Sequence, residues 1–331
     1  MKRRSHALGL LAIIATIAAG SGTSAEAATN WDMYVYNPVA TVSAVKGINR
    51  IIAEIEKETN GALTIRLHLG GSLPIKTTNI TQAVSQGIVQ MGDDGYFLGN
   101  VPIGGVLRLP MLIRTPEEFK KAEAIMQPYI DKAFAKKGVV VLGTYVYPFQ
   151  VPFSRKKLTD LADIKGQKIR VTSPEQGAFI QMLGGAPVTL GAPEVPSALD
   201  RGVVDGVLTA SSGGGNTWRD LLKYNYRIGI NYFDSLIVVN KAAFEKLAPE
   251  VQAKVRKTVT DLTPSITAAM AKEEEDLTQK MAAGGMIVTP QKPEDVTTAE
   301  KLVASYWDSW AKEKGPEAVE ALKKVRAALG R

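Results

Sequence analysis

Runs with strand periodicity alternate with amphipathic helical runs along most of the chain, a pattern that commits it to an α/β architecture. Trp31–Asn37 (WDMYVYN) reads as a strand, Ala44–Gly61 as a helix closed by Asn60-Gly61, and Ala62–Gly70 (ALTIRLHLG) as a second strand. Further strands are expected at Val139–Tyr147, Lys168–Ser173, Val203–Ala210 and Asp234–Asn240. Two stretches then echo two others in the same order. Gly61–Leu67 (GALTIRL) is similar to Gly166–Val171 (GQKIRV), and Ala83–Met91 (AVSQGIVQM) to Ala198–Gly206 (ALDRGVVDG), the second pair with glycine helix stops at Gly87 and Gly202. Helix-glycine-strand junctions are common in α/β chains, but two matches in order predict two similarly built lobes with a cleft between them.

One arginine stands out at a strand-to-helix junction. In Asp163–Phe179 (DIKGQKIRVTSPEQGAF), Lys168 and Arg170 fall on one face of a strand and Ile169 and Val171 on the other. Ser173 is a good N-cap, Pro174 suits the first helical position, and Gln176 completes a capping box. Arg170 therefore sits beside free backbone N–H groups. Guanidinium and helix dipole together favour an anion in that space.

The N-terminus has the form of a secretory signal peptide over residues 1–27. Lys2, Arg3 and Arg4 precede an apolar run from Ala7 to Ala19, and Ser24–Ala27 (SAEA) supplies small residues for cleavage after Ala27. That run is short of the roughly 20 residues that span a bilayer. A soluble protein in the periplasm is expected. Of the net charge of +7, Lys2, Arg3, Arg4 and Glu26 account for +2, which leaves a mildly basic remainder whose cations are scattered among carboxylates. No stripe for nucleic acid is present, and no nucleic-acid partner is expected. The chain has no cysteine, which excludes disulfides, thiolate metal sites and cysteine nucleophiles.

Enzymatic constellations find little support. Beyond the leader the one histidine is His68, within an alternating strand and without a Gly-x-Ser-x-Gly elbow, so a structural role is expected. The run Glu273–Asp276 (EEED) reads as a solvated helix face rather than a metal site, and Gly92–Tyr96 (GDDGY) lacks calcium-loop spacing. Ser211–Asn216 (SSGGGN) lacks phosphate-loop spacing and reads as a flexible or cleft-lining loop. Carboxylate pairs for glycoside cleavage stay open, but nothing selects one. Aromatic residues gather at strand ends: Trp31, Tyr34, Tyr36, Tyr96, Phe97, Tyr145, Tyr147, Phe149 and Phe233. Some should line an apolar pocket.

The stretches ETNGALTIRLHLGGSL, AVSQGIVQMGDD, LRLPML, LADIKGQKIRV, LGGAPVTLGAPEVPSALDRGVVDGV and GMIVTP make the chain resemble the extracytoplasmic solute receptors of tripartite ATP-independent periplasmic (TRAP) transporters, the DctP-like family. The resemblance implies a two-lobed, type II periplasmic-binding-protein-like α/β fold with a hinge and a long helix across both lobes. Lobe I is expected over 28–147 with about 234–275 returning to it. Lobe II is expected over 148–233, with about 276–331 packing on it.

By the same resemblance, Arg170 would form a bidentate salt bridge with the carboxylate of an organic acid. Departures from the family pattern bear on which acid. A second arginine found in sialic-acid and some dicarboxylate receptors stands 20 residues earlier, where this chain has Gln150; Thr209 and Phe233 replace asparagines. These changes imply a less polar pocket for a monocarboxylate, aromatic or bearing a 2-oxo or 2-hydroxy group, with Asn37 and the loop Asp94 to Tyr96 touching the remainder. The expected function is a monomeric, non-enzymatic receptor that needs no cofactor or metal and delivers its acid to the small and large TRAP permease subunits. A C4-dicarboxylate receptor, a secreted carboxylate-using hydrolase and a sensor subunit are the alternatives.

Overall fold

The computed structural model describes residues 28–331, so the expected signal peptide at 1–27 lies outside the described residues. In chain order the strands are β1 (Thr29–Val35), β2 (Leu63–His68), β3 (Met91–Asp94), β4 (Val139–Ser154), β5 (Lys168–Val171), β6 (Ala186–Thr189), β7 (Gly206–Thr209), β8 (Tyr224–Tyr226), β9 (Asn231–Asn240) and β10 (Ile287–Thr289). The helices are α1 (Ser43–Glu58), α2 (Ile80–Ser85), α3 (Pro116–Ala135), α4 (Pro174–Met182), α5 (Val195–Asp200), α6 (Lys241–Glu245), α7 (Pro249–Ala283), α8 (Pro293–Lys314) and α9 (Pro316–Leu329).

The chain builds two lobes on the same plan. In the first, β1 lies parallel between β2 and β3, and β3 runs antiparallel to β9. In the second, β5 lies parallel between β6 and β7, and β7 runs antiparallel to β4. Half of the sequence echo survives this comparison. Gly87 and Gly202 both take positive φ (70° and 68°), and the amide that follows each reaches back to close its helix, Ile88 to Ala83 and Val203 to Ala198. The other half does not correspond. GALTIRL forms an edge strand, β2, whereas GQKIRV forms a central one, β5. A turn glycine before an alternating strand recurs in any α/β chain, and here it marks no equivalence.

The lobes are joined by two long antiparallel strands. β4 pairs with β9 from Val139–Asn240 to Gln150–Asn231, then leaves it to pair with β7 and β8. It is longer than its apolar run suggested because Pro148, which lacks an N–H, falls within the irregular stretch between Tyr147 and Gln150 and removes no ladder bond. Helix α7 has 35 residues and so is about 50 Å long. In the first lobe it packs on α1, where a Cβ on Gly47 would come within 2.4 Å of Ile266, and in the second it reaches the turn Ser211–Gly215 and β10.

The tail departs from the expected packing of 276–331 on lobe II. The start of α8 is tied there: Asp295 accepts from Leu161 N (2.9 Å) and the Tyr226 hydroxyl (2.5 Å). Further along, Trp310 Nε1 donates to Glu175 of α4 (3.0 Å), and Trp307 Nε1 to the Pro110 carbonyl in the first lobe (2.9 Å). The chain then turns at Gly315 (φ 100°), and α9 buries Ala318, Ala321, Leu322 and Val325 with α3 of the first lobe beside it. Lys132–Glu317 (2.9 Å) and Arg331–Glu118 (2.8 Å) fringe that contact.

Charged groups lie buried where β3 meets β9. Arg108 and Asp234 are fully buried and paired, Nε to Oδ1 at 2.7 Å, with Nη2 also donating to the Asp234 carbonyl. Asp93 accepts from Tyr145 (2.9 Å) and Ser235 (2.5 Å), yet burial pushes its carboxyl from an ordinary 3.8 up to about 7.

Arg108→Ala should cost about 3–5 kcal/mol in chemical denaturation, because Asp234 would stay buried without its partner. The folded chain holds the Asp93 proton more tightly than the unfolded chain does, so stability is lost as pH rises between about 4 and about 7. The melting temperature should therefore fall from pH 5 to pH 8, and Asp93→Asn should flatten that slope; an unchanged slope would show that Asp93 stays ionised.

Candidate functional site

The cleft between the lobes is walled by residues at strand ends from both sheets. β5 ends at Val171, and Ser173 caps α4 by accepting from Gln176 N (3.3 Å). The rest of the expected capping box is different. Gln176 Oε1 accepts from the Thr172 amide (2.8 Å) and hydroxyl (2.9 Å), one residue before the cap, because its Nε2 is drawn to Asn231 on β9 (3.1 Å). This ties α4 to the hinge strand. Only Lys168 of β5 is exposed; Ile169, Arg170 and Val171 are all buried.

Arg170 reaches into the cleft with 2% of its surface exposed. Its Nε donates to the Leu190 carbonyl (2.9 Å), Nη1 makes a long contact to the Leu208 carbonyl (3.5 Å), and Nη2 bonds the Tyr96 hydroxyl of the other lobe. Trp218 lies 5.4 Å away, ring centroid to guanidinium carbon. Among the described residues no carboxylate lies within 4.0 Å of the guanidinium. A guanidinium has five N–H donors, so one on each terminal nitrogen remains uncommitted. Two such donors on one planar guanidinium can serve the two oxygens of a carboxylate.

Around it stands an aromatic wall. Tyr36, Tyr96 and Phe233 meet edge to face at centroid distances of 5.4, 5.9 and 6.0 Å, and Tyr147 adds a contact to Phe233 at 5.5 Å. Gly95 permits this packing, since a Cβ there would come within 2.5 Å of the Phe233 ring. Behind the wall, the Arg108 guanidinium lies 4.3 Å from the Phe233 centroid. The Tyr36 hydroxyl is buried without a partner among the described residues. Burial pushes the Tyr147 hydroxyl above its ordinary range, so it stays a neutral donor.

Of the seven residues expected at the site, Asn37, Tyr96, Gln150, Arg170, Thr209 and Phe233 line this cleft. Several are already engaged. Asn37 accepts from Val39 N (3.0 Å), Gln150 donates to the Pro148 carbonyl (3.1 Å), and Thr209 accepts from Gly214 N (2.9 Å). Asp94 does not line it. Its carboxylate turns to Thr81 (2.5 Å) and to the Tyr96 amide (3.0 Å), so it shapes the turn that aims Tyr96; burial raises its pKa to about 6.

Tyr36 and Tyr147, two of the strand-end aromatics, also line the cleft, although the family resemblance points to neither. Trp218 gave no periodic signal; its clue is its place just past the glycine loop, whose Gly213 and Gly214 also line the cleft. The described lining contains no carboxylate and no cation other than Arg170, so its field favours one negative charge.

His68 lies apart, with Nε2 2.7 Å from Asp32 Oδ1 on the neighbouring strand. Hydrogen bonds from Arg66 first and then His68 hold that carboxyl below its ordinary range. Among the described residues no group of three His, Asp or Glu is placed to hold a metal. The EEED run is only half solvated. Glu275 and Asp276 are exposed, while Glu273 bonds Ser43 (2.5 Å) and Glu274 bonds the loop at Ser211.

A family model described as bacterial extracellular solute-binding protein, family 7 (DctP) matches residues 38–314. An uncharacterized protein of Haemophilus influenzae is 29% identical over 60% of this chain, and the match spans 65% of that protein's own length. The 2,3-diketo-L-gulonate-binding periplasmic protein YiaO of Escherichia coli is 26% identical over 74% of this chain and 75% of its own. DctP7, a Bordetella pertussis extracytoplasmic solute receptor binding pyroglutamic acid, superimposes with a TM-score of 0.84 at 26% identity, covering 90% of this chain and 99% of its own. With the family match running through both lobes and the cleft, the chain belongs to the DctP family of bacterial extracellular solute-binding proteins, the receptors of TRAP transport.

Proposed function

We propose that the protein captures an organic acid with a single carboxylate between its lobes, outside the cytoplasm, and hands it to a TRAP permease in the membrane. The observation that carries this reading is Arg170: a buried guanidinium with an uncommitted N–H on each terminal nitrogen and no protein carboxylate to neutralise it. Leaving a charge in that state is costly unless a ligand completes it. Gln150, an uncharged residue, stands where a second arginine would serve a second carboxylate, which favours a monocarboxylate. Pyroglutamate and 2,3-diketo-L-gulonate, named for two relatives, each carry one carboxylate beside other polar groups. Tyr36 and Tyr147 offer hydroxyls for such a group, and the ring faces suit a compact apolar body.

Energetically the salt bridge is an anchor rather than the whole affinity. Charge-assisted hydrogen bonds contribute roughly 1.5–3 kcal/mol each. Micromolar binding corresponds to about −8 kcal/mol, so aromatic contact and lobe closure supply the remainder. Tyr96 and Arg170 bond across the cleft, a contact that belongs to the closed arrangement.

A thermal-shift screen over mono- and dicarboxylates tests the class, because a solute that binds only the native state raises the melting temperature. Monocarboxylates should give the largest shifts; a dicarboxylate at the top would reject the single-carboxylate reading. For the best acid, Arg170→Ala should weaken binding by about 2–5 kcal/mol in calorimetry, since the bound carboxylate loses its charged partner. A loss of less than about threefold would remove Arg170 from the role.

A further inference from the structure

The cleft wall nearest Trp218 is the turn Ser211–Gly215, whose later backbone closes on itself, Gly213 and Gly215 to the Ala210 carbonyl and Trp218 to Gly214, while the Ser211 and Ser212 amides at its start take a partner from elsewhere. Gly213 and Gly214 line the cleft. The Trp218 ring lies directly on Gly214, where a Cβ would come within 2.1 Å of it, and the same ring stands beside Arg170. Whatever fixes this turn also fixes Trp218 against the guanidinium.

The restraint on its first two residues comes from a different element. Glu274, in the C-terminal third of the spanning helix α7, points both carboxylate oxygens at the turn. Oε1 accepts from Ser211 N (2.9 Å) and Arg227 Nη2 (2.9 Å); Oε2 accepts from Ser212 N (2.8 Å) and the Ser212 hydroxyl (2.9 Å). One turn along α7, Thr278 shares a hydrogen bond with the Ser211 hydroxyl (2.7 Å), which also accepts from Arg227 Nη1 (2.9 Å). The carboxylate thus meets four donors. An amide could not replace it without turning an NH2 group against one of them. Within the turn, the Gly214 amide donates to the Thr209 hydroxyl on β7, which links the turn to another cleft residue.

We propose that Glu274 is a positioning residue for solute binding, which holds the glycine turn, and through it Trp218, against the Arg170 side of the cleft. Because α7 is rooted on α1 and β4 of the first lobe, the wall of the second lobe is set by a helix that belongs to both. The effect on affinity rests on the function proposed above; the effect on the turn does not.

Residue-resolved amide exchange on the full chain without solute tests the turn. In Glu274→Gln and Glu274→Ala, the Ser211, Ser212 and Gly214 amides should exchange at least about tenfold faster while those of α7 and β4 keep their rates. Glu275→Gln, on the exposed neighbour, should change nothing. Glu274→Gln decides the matter if the alanine variant does not fold. A Gly214 rate within about twofold of the parent would overturn the proposal, since the restraint would then stop short of the cleft. Calorimetry with pyroglutamate, or with the panel acid that gives the largest thermal shift, should record an affinity at least about tenfold weaker in Glu274→Gln, with Glu275→Gln unaffected. Unchanged affinity in a loosened turn would equally reject a positioning role. If no acid binds the parent protein, the proposed function fails, and the Gly214 exchange rate still decides this inference.

Discussion

The antiparallel pair β4–β9 is the constraint on which everything else hangs. It closes the first sheet, and its far end delivers β4 into the second, so neither lobe has an independent framework. The irregular stretch from Tyr147 to Gln150 lies at the crossing, and both of those residues face the cleft. Phe233, opposite Tyr147 in the ladder, does the same from β9. A bend that connects two domains thereby also supplies the floor of the site.

Charge is distributed on either side of that floor according to how it is neutralised. Arg108 has Asp234, both wholly buried, and the pair lies behind Phe233. Arg170 has carbonyls, a tyrosine and two ring faces, but no anion from the protein. The difference is chemical rather than positional, since both guanidinia are buried and near aromatic rings. One is neutralised by an anion of the protein and serves the fold; the other has none, and the solute proposed above would supply it. Carbonyls and ring faces orient a guanidinium without cancelling its charge, which keeps the attraction for an anion intact.

The elements that straddle the lobes also brace the second lobe's cleft wall. Its turn at Ser211–Gly215 follows a four-residue strand and contains three glycines, and although Gly213 and Gly215 bond back to Ala210, the Ser211 and Ser212 amides at its start do not find their partner within the turn. Support comes from α7 through Glu274 and Thr278, while α8 joins α4 to the first lobe through Trp310 and Trp307. Two helices that follow the cleft strands in the chain therefore brace the cleft from outside.

The alternation of periods was enough, by itself, to determine the α/β class, the glycine-closed helices before β3 and β7, and the strand-to-helix junction bearing Arg170, because these are local patterns of burial and backbone conformation. Family likeness added the two-lobed plan, and six of the seven chosen residues lie in one cleft because strand ends of both sheets converge there. Tertiary structure alone decided the rest. Asp94 turned away because Thr81 and the Tyr96 amide claimed its oxygens, Gln176 left its capping role for Asn231, and α9 returned to the first lobe after Gly315. In the acidic run, Glu274 was drawn from solvent by three donors of the turn at Ser211–Ser212 and one of Arg227. Each of these depends on which distant polar group or apolar face lies within a few ångströms, a fact carried by the packing of the lobes and by no spacing along the chain.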